Sequence, residues 1–338
     1  VGSVQKQWLY LRNIFKDPDI QRQLPNDNKM YREVEKDYKQ WVNNVSDCPR
    51  VYHIANQTEE PIKQLQIWDH RLEQLQKAIE EFLMTKRTEF PRFFFLSNDD
   101  LLEILSLGKN PDGLQKHLNK LFENVYGLHL VDSGHGIDYI ISKEGEQLPL
   151  QTVQIRGPVE GWLKTLETQM RRSLQSIASD AFMAYEQMPF QEWTLKFPAQ
   201  ILIAITQIYF TQLVNENIQS SLEIALEFYQ KRLIELATIV RGDMTPVYRE
   251  ALISLITTEV HSRDIIEELM SLQVADADDF EWTKRLKYYF EDNKILIKQH
   301  DSVLEYCYEY LGATSRLIIT PLTERCYLTL TTALKNHL

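Results

Sequence analysis

The sequence is poor in the residues that staple small domains, turn strands or grip acidic polymers. Three cysteines, Cys48, Cys307 and Cys326, are odd in number and, the last pair aside, far apart. That is neither a disulfide framework nor a zinc pattern, and it points to a reducing compartment. Eleven glycines and twelve prolines in 338 residues are too few for strand-and-turn architecture throughout, so long helices are expected to dominate. Basic residues are outnumbered 37 to 48, giving a net charge of −11 and a pI near 5.3. A surface of that sign argues against nonspecific binding to phosphate backbones or anionic membranes. The longest apolar stretch, Ala199 to Phe210, contains glutamines and is too short to span a bilayer. The first residues, VGSVQKQWLY, have no signal-peptide core. A soluble, intracellular protein with no nucleic-acid or membrane partner is the expectation. No G-x-x-x-x-G-K-[ST] phosphate loop occurs either: the single Gly-Lys pair, Gly108-Lys109, is followed by Asn110 and has Glu103 where the first glycine belongs.

Helical periodicity fills most of what is there. Residues 1–47 read as two helical pieces around Leu24-Pro25-Asn26-Asp27-Asn28, with Trp8, Leu11, Ile14 and Phe15 on one face and Tyr31, Val34, Tyr38, Trp41, Val42 and Val45 on the other piece's face. A long helix is expected from Thr58 to about Lys86, with Pro61 in its first turn. Leu65, Trp68, Leu72, Leu75, Ile79 and Phe82 form a seam that stops short of three heptads. It reads as the core stripe of a bundle rather than an intermolecular coiled coil. In FPRFFFLSNDDLLEIL, Phe90 to Leu105, Ser97 and Asp100 have capping-box spacing. Asp99 and Asp100 are better read as first-turn carboxylates meeting a helix dipole than as catalysts. Further helices are expected from Pro158 through Trp162, Leu166, Met170, Leu174 and Ile177, then from Pro198, over Leu222 to Val240, and after Pro246.

Between Gly127 and Ile155 the period falls to two. Leu128 and Leu130, then Ile137, Tyr139 and Ile141, alternate around Gly134-His135-Gly136 and Glu144-Gly145-Glu146, predicting two or three antiparallel strands. His129 and His135 lack a third ligand nearby, and a turn histidine is the simpler reading. His261, Arg263 and Asp264, midway along an apolar-faced helix, form a buried polar cluster or a contact surface with no nucleophile to serve. A second small hairpin is expected around Glu291-Asp292-Asn293. At the end of the chain Gly312 marks a turn, and the β-branched run Leu317-Ile318-Ile319-Thr320 stops at Pro321. Thr320 or Thr323 caps a last helix whose apolar face would carry Tyr327, Leu330, Leu334 and Leu338. The chain stops inside that helix, as a piece of a longer protein would.

Several of these runs resemble the linker region of dynein heavy chains, in family order and over nearly the whole chain. RLIITPLTERCYLTLTTAL resembles the entry to the first AAA+ module of that family. Phe90 to Leu105 resembles the hallmark F-P-R-F-[YF]-F-L-S-N-[DE]-[DE]-L-L-E-I-L, and the helix from Pro111, with His117 and Phe122, matches too. W-x-Y-L-x-x-I-F near the start, G-x-V-E-x-W-L-x-x-L-E-x-x-M from Gly157, V-H-x-R-D from Val260 and F-E-W-x-x-x-L-[RK]-Y-Y-[WF] from Phe280 complete the set. The Gly127–Ile155 insertion and the G-P-V-E-G-W-L stretch look most like ciliary, axonemal members.

The resemblance implies a mainly α fold, an elongated array of packed helical bundles with two small antiparallel β-hairpin insertions. It implies helical linker subdomains at 1–126 and 157–275, a small β insertion at 127–156, a helix and hairpin at 276–312, and the N-terminal edge of the first AAA+ module at 313–338. The implied role is a lever that bends and straightens over the AAA+ ring as ATP binds and is hydrolysed, driving minus-end-directed movement on microtubules in a cilium or flagellum. The implied partners are the ring of the same heavy chain, microtubules through regions beyond this segment, and other dynein chains. The parent would be a motor ATPase using ATP/ADP with Mg. Here only an adenine-side loop is covered, Leu317, Ile318, Thr320, Pro321 and Leu322, with no catalytic residue and no metal ligand. A free-standing helical scaffold or coiled-coil adaptor without ATPase activity is the alternative.

Overall fold

The computed structural model describes residues 1–47, 61–107, 111–131, 134–313 and 319–337. Contacts divide them between two compact units, residues 1–121 with 155–164, and residues 122–154 with 165–338. The architecture is mainly α with two small antiparallel sheets, as the periodicities anticipate.

The first unit holds α1 (Gly2–Ile14), α2 (Pro18–Gln23), α3 (Pro25–Asp47), α4 (Pro61–Glu89), a 3₁₀ turn (Pro91–Phe95), α5 (Asn98–Ser106) and α6 (Pro111–Leu121). The break at Pro25 is tighter than its composition suggests. Proline is the first residue of α3, where its missing N–H costs nothing, and α2 occupies the turn before it. α1 and α3 both pack on α4. Leu11, Ile14, Phe15, Tyr31, Val34 and Tyr38 are buried there, as are Trp68, Leu72, Leu75 and Ile79 of α4. Phe15 stacks on Tyr31 at 4.9 Å, and Trp68 meets Tyr38 edge-on at 5.7 Å. The seam of α4 is thus a core stripe facing helices of its own chain. Its last position shifts by one: Leu83, not Phe82, is fully buried. A straight helix repeats every 3.6 residues and drifts off a 3.5-residue row. Val42, expected on the inner face of α3, is 40% exposed.

Ser97 caps α5, its hydroxyl accepting from the Asp100 N–H at 3.1 Å. Arg87 braces the approach, donating to the Leu96 carbonyl at 3.1 Å and to Asn98 Oδ1 at 3.0 Å. Ser97→Ala is expected to destabilise this unit by about 1 kcal/mol while Ser97→Asp keeps the cap. Urea titrations of the two variants would check this, and equal midpoints would contradict it.

The second unit begins with β1 (Gly127–Val131), β2 (Gly136–Ile141) and β3 (Gln147–Gln154), antiparallel in that order. Strict alternation fails inside β2. The register shifts between Ile137 and Tyr139, so Ile137 and Ile140 are buried while Tyr139 faces out. The rest comprises α7 (Val159–Ala184), whose residues from Thr165 onward belong to this unit, α8 (Phe190–Lys196), α9 (Ala199–Asn217), α10 (Leu222–Val240), α11 (Pro246–Ser271) and α12 (Phe280–Thr283). These are followed by β4 (Lys287–Glu291), β5 (Lys294–Gln299), β6 (Ser302–Glu305) and α13 (Pro321–Lys335). The expected second hairpin therefore gains a third strand, β6. α9 is the spine, in contact with α10, α11 and β4. It is buried almost all round from Ala199 to Val214, which explains an apolar run with little amphipathic pattern. Among the described residues no helix is long and apolar enough to cross a membrane.

Candidate functional site

Residues 306–313, after β6, are held by side chains drawn from distant parts of the second unit. Gln200, in the first turn of α9 and 1% exposed, uses its whole amide. Its Nε2 donates to the Glu309 carbonyl at 2.6 Å and to Tyr306 Oη at 2.7 Å, and its Oε1 accepts from the Leu311 N–H at 2.7 Å. Asn124 donates to the Leu311 carbonyl and to Glu144 Oε2, both at 3.0 Å. Gly312 lies at φ +59°, and a Cβ there would stand 2.2 Å from Asn124 Nδ2. Only glycine allows this close crossing.

Glu146 fastens the same segment from the β2–β3 turn. It accepts from the Ala199 N–H at 2.9 Å, at the N-terminus of α9, and from Tyr310 Oη at 2.7 Å. Burial pushes its carboxyl above the ordinary range despite these two donors. Burial likewise raises the Tyr310 phenol, and the neighbouring Glu146 carboxylate adds to the rise. Ser254 of α11 reaches the Ala313 carbonyl at 3.4 Å.

Of the five expected adenine-side residues, Leu317 and Ile318 lie outside the described residues. Thr320 is the N-cap of α13, in a reciprocal capping box with Thr323. Pro321 opens the helix and Leu322 is 72% exposed. The expected apolar face of α13 does not point inward. Leu330 and Leu334 are exposed, Tyr327 is half-buried, Leu338 lies outside the described residues, and the buried residue is Thr331. The reason is the surface that α13 rests on. Thr331 Oγ1 donates to Gln299 Oε1 at 2.9 Å, and its carbonyl accepts from Ser302 Oγ at 3.1 Å, so the β5–β6 turn asks for a polar partner.

Beneath the first turns of α13 lies a cleft of about 600 Å³, with Ile319, Glu324 and Tyr327 on one side and His261, Asp264 and Gln299 among the residues opposite. Burial holds the His261 imidazole below its ordinary pKa, with Glu324 partly opposing that. Arg263 pairs with Asp264 on its own helix and lies 3.8 Å from Glu267, which makes it a helix-surface contact.

The other candidates resolve into structural pairs. Asp100, Glu103 and His117 each bring a ligand atom within 4.8 Å of the others. Lys120 takes the Asp100 carboxylate at 2.8 Å, and Lys116 pairs with Glu103. The Lys120 and Ser97 hydrogen bonds hold the Asp100 carboxyl below its usual range. His129 Nδ1 sits 2.7 Å from Asp138 Oδ1 on the outer face of the first sheet, and His135 is exposed in the adjoining turn.

Residues 1–181 match the family model described as dynein heavy chain, N-terminal region 2. The chain belongs to the dynein heavy chain family. The pinned segment and α13, residues 306–338, match a second model, the hydrolytic ATP binding site of dynein motor region. Similar relatives include dynein axonemal heavy chain 1 of Rattus norvegicus, 40% identical over 335 residues, which cover 98% of this chain and 7% of the relative. Dynein axonemal heavy chain 2 of Mus musculus is 35% identical over 356 residues, covering 100% and 8%. Dynein axonemal heavy chain 6 of Homo sapiens is 37% identical over 366 residues, covering 99% and 9%. This dynein chain thus spans less than a tenth of the length of those relatives.

Proposed function

We propose that this chain is the mechanical linker of an axonemal dynein heavy chain, a lever that bends and straightens over the AAA+ ring as ATP is bound and hydrolysed. The observation that carries the reading is the order of the two family matches along one chain. A helical region matching the dynein N-terminal model precedes, in the same chain, a short stretch matching the hydrolytic ATP site, and the backbone and side chains at Tyr310 and Leu311 are pinned by Asn124, Glu146 and Gln200. A lever must be stiff where it joins its engine, and fully used buried amides give that stiffness. In this reading residues 1–126 and 157–275 are helical subdomains of the lever, 127–156 and 276–312 carry its two sheets, and 313–338 form the edge of the first AAA+ module. ATP or ADP with Mg binds in the parent motor, and Leu317, Ile318, Thr320, Pro321 and Leu322 border the adenine. The partners are the ring of the same polypeptide, microtubules through other regions, and other dynein chains. The place is the axoneme of a cilium or flagellum, where the stroke drives minus-end-directed movement.

The reading is tested in the parent heavy chain. Ile318→Asp sets a charge against the base and is expected to weaken ATP binding about tenfold, the cost of roughly 1.4 kcal/mol. Unchanged ATP affinity would remove the adenine-side assignment. The lever itself requires that a fluorophore at the N-terminal end of the linker change its distance to the ring when ATP is added.

A further inference from the structure

Arg285 follows α12 and is 4% exposed. Its neighbours come from three places. Nε donates to the Glu281 carbonyl at 3.3 Å, on its own turn. Nη2 stands 2.7 Å from Glu268 Oε2 near the end of α11, in an ion pair off the line of a hydrogen bond. Nη1 donates to the Glu324 carboxylate in the first turn of α13. Glu324 is 18% exposed and Glu268 46%, so the pair with Glu324 is the more sheltered one and the less screened by water.

The placement of this pair on α13 gives it a mechanical meaning. Among the described residues, hydrogen bonds and ion pairs tie α13 to the rest of the unit at two places. Its C-terminal part sits on the β5–β6 turn through Thr331, with Lys335 3.7 Å from Asp301 beside it. Two turns earlier, roughly 10 Å along the helix, Glu324 is held by Arg285 at the rim of the 600 Å³ cleft. Because Ile319, Glu324 and Tyr327 border open space on that side, apolar packing does not by itself set the tilt of the first turns. The Arg285 guanidinium is a buried charge that joins α11 and the end of α12 to the first turn of α13, the turn that Thr320 caps and that holds Pro321 and Leu322.

We propose that Arg285 is a positioning residue that couples the nucleotide module to the lever, acting through Glu324 to fix α13 against α11. The proposal rests on the lever reading above. A shift of the adenine-side stretch moves the start of α13, and the Arg285–Glu324 pair passes that displacement to α11. Without the pair, α13 rocks on the Thr331 contact over the cleft. Nucleotide turnover then continues while less of each cycle reaches the lever.

The test uses the full heavy chain, with a donor fluorophore at the linker's N-terminal end and an acceptor on the ring, alongside ATP turnover and microtubule gliding. Arg285→Met keeps the apolar stem and removes the charge. It is expected to leave kcat for ATP within about twofold while gliding speed falls about fivefold or more and the ATP-dependent fluorescence change shrinks. Arg285→Lys, which keeps a cation facing Glu324, is expected to restore most of both. If Arg285→Met does not fold, Glu324→Gln removes the partner's charge with little change of volume and should give the same split. Turnover and gliding falling in parallel would make Arg285 merely structural and overturn the coupling. Variants that swing and glide like wild type would overturn it too, leaving the lever intact. A wild-type motor with no ATP-dependent fluorescence change would instead overturn the lever reading itself.

Discussion

Trp282→Ala is expected to lower the stability of the second unit by about 4 kcal/mol, within the range for emptying a buried aromatic site. Trp282 is fully buried, its Nε1 donates to Asn215 Oδ1 at 2.8 Å, and its ring meets the edge of Phe210 at 5.8 Å. Around it lie Val214, Ile218, Tyr229, Ile265, Ile266 and Leu269 from α9, α10, α11 and the connection after α9. Helices anchored at both ends cannot close over the hole, so the cavity cost adds to the lost transfer energy. Asn215 is only half-buried and can turn to water, so the broken hydrogen bond contributes little. Trp282→Phe separates the two contributions, keeping most of the volume and losing about 1–2 kcal/mol. Urea unfolding followed by a probe in this unit checks the pair. A loss under about 1 kcal/mol for the alanine variant would show that the site collapses freely.

What could be read from the sequence is what repeats locally. The faces of α1, α3 and α4, the Ser97 cap and the Pro246 start follow from spacings of three and four residues and from capping chemistry, and the structure has them, save Val42 at the far end of the α3 face and Phe82 at that of α4. The misses fall where a partner overrides the period. The bulge in β2 turns Tyr139 outward, helical drift puts Leu83 in place of Phe82, and the polar β5–β6 turn brings Thr331 inward in place of Leu330 and Leu334. Gln200, Asn124 and Arg285 were not legible. Gln200 sits in an apolar run, and the Leu311 backbone it pairs with is remote in the chain. Arg285 occurs within FEWTKRLKYYF, where one more basic residue suggests a solvated face. Its partners, Glu268 and Glu324, come from separate helices, and no spacing rule links residues that meet only after folding. The Gly312 turn was legible, but the closeness of Asn124 that demands glycine was not.

Glu259 gives the second large effect, and its sign is opposite to that of a salt-bridged carboxylate. It lies on α11, 2% exposed, with Oε1 lacking a hydrogen-bond partner among the described residues. Burial pushes its pKa up to about 7, and the Arg232 guanidinium and Thr206 hydroxyl offset this only in part. Arg232 is itself engaged, stacked 3.4 Å over Phe190 and hydrogen-bonded to Tyr185 Oη at 3.2 Å. Between the ordinary carboxylate pKa and about 7, the unfolded chain has released this proton and the folded chain has kept it. The folded state binds more protons, so stability falls as pH rises through that window and levels off above it. The shift corresponds to roughly 3 kcal/mol at 1.36 kcal/mol per unit. His261, depressed by burial, works the other way, gaining stability with rising pH. The informative quantity is therefore the difference from Glu259→Gln, in which His261 is unchanged. Glutamine fills nearly the same volume without a charge to desolvate, so the variant should be about as stable as wild type near pH 5 and the more stable by about 2–3 kcal/mol at pH 8. Thermal or urea unfolding of both proteins from pH 5 to 8.5 reads that gap. A gap that stays flat across the range would mean that the carboxylate is solvated or paired in the folded protein, and that its burial costs nothing.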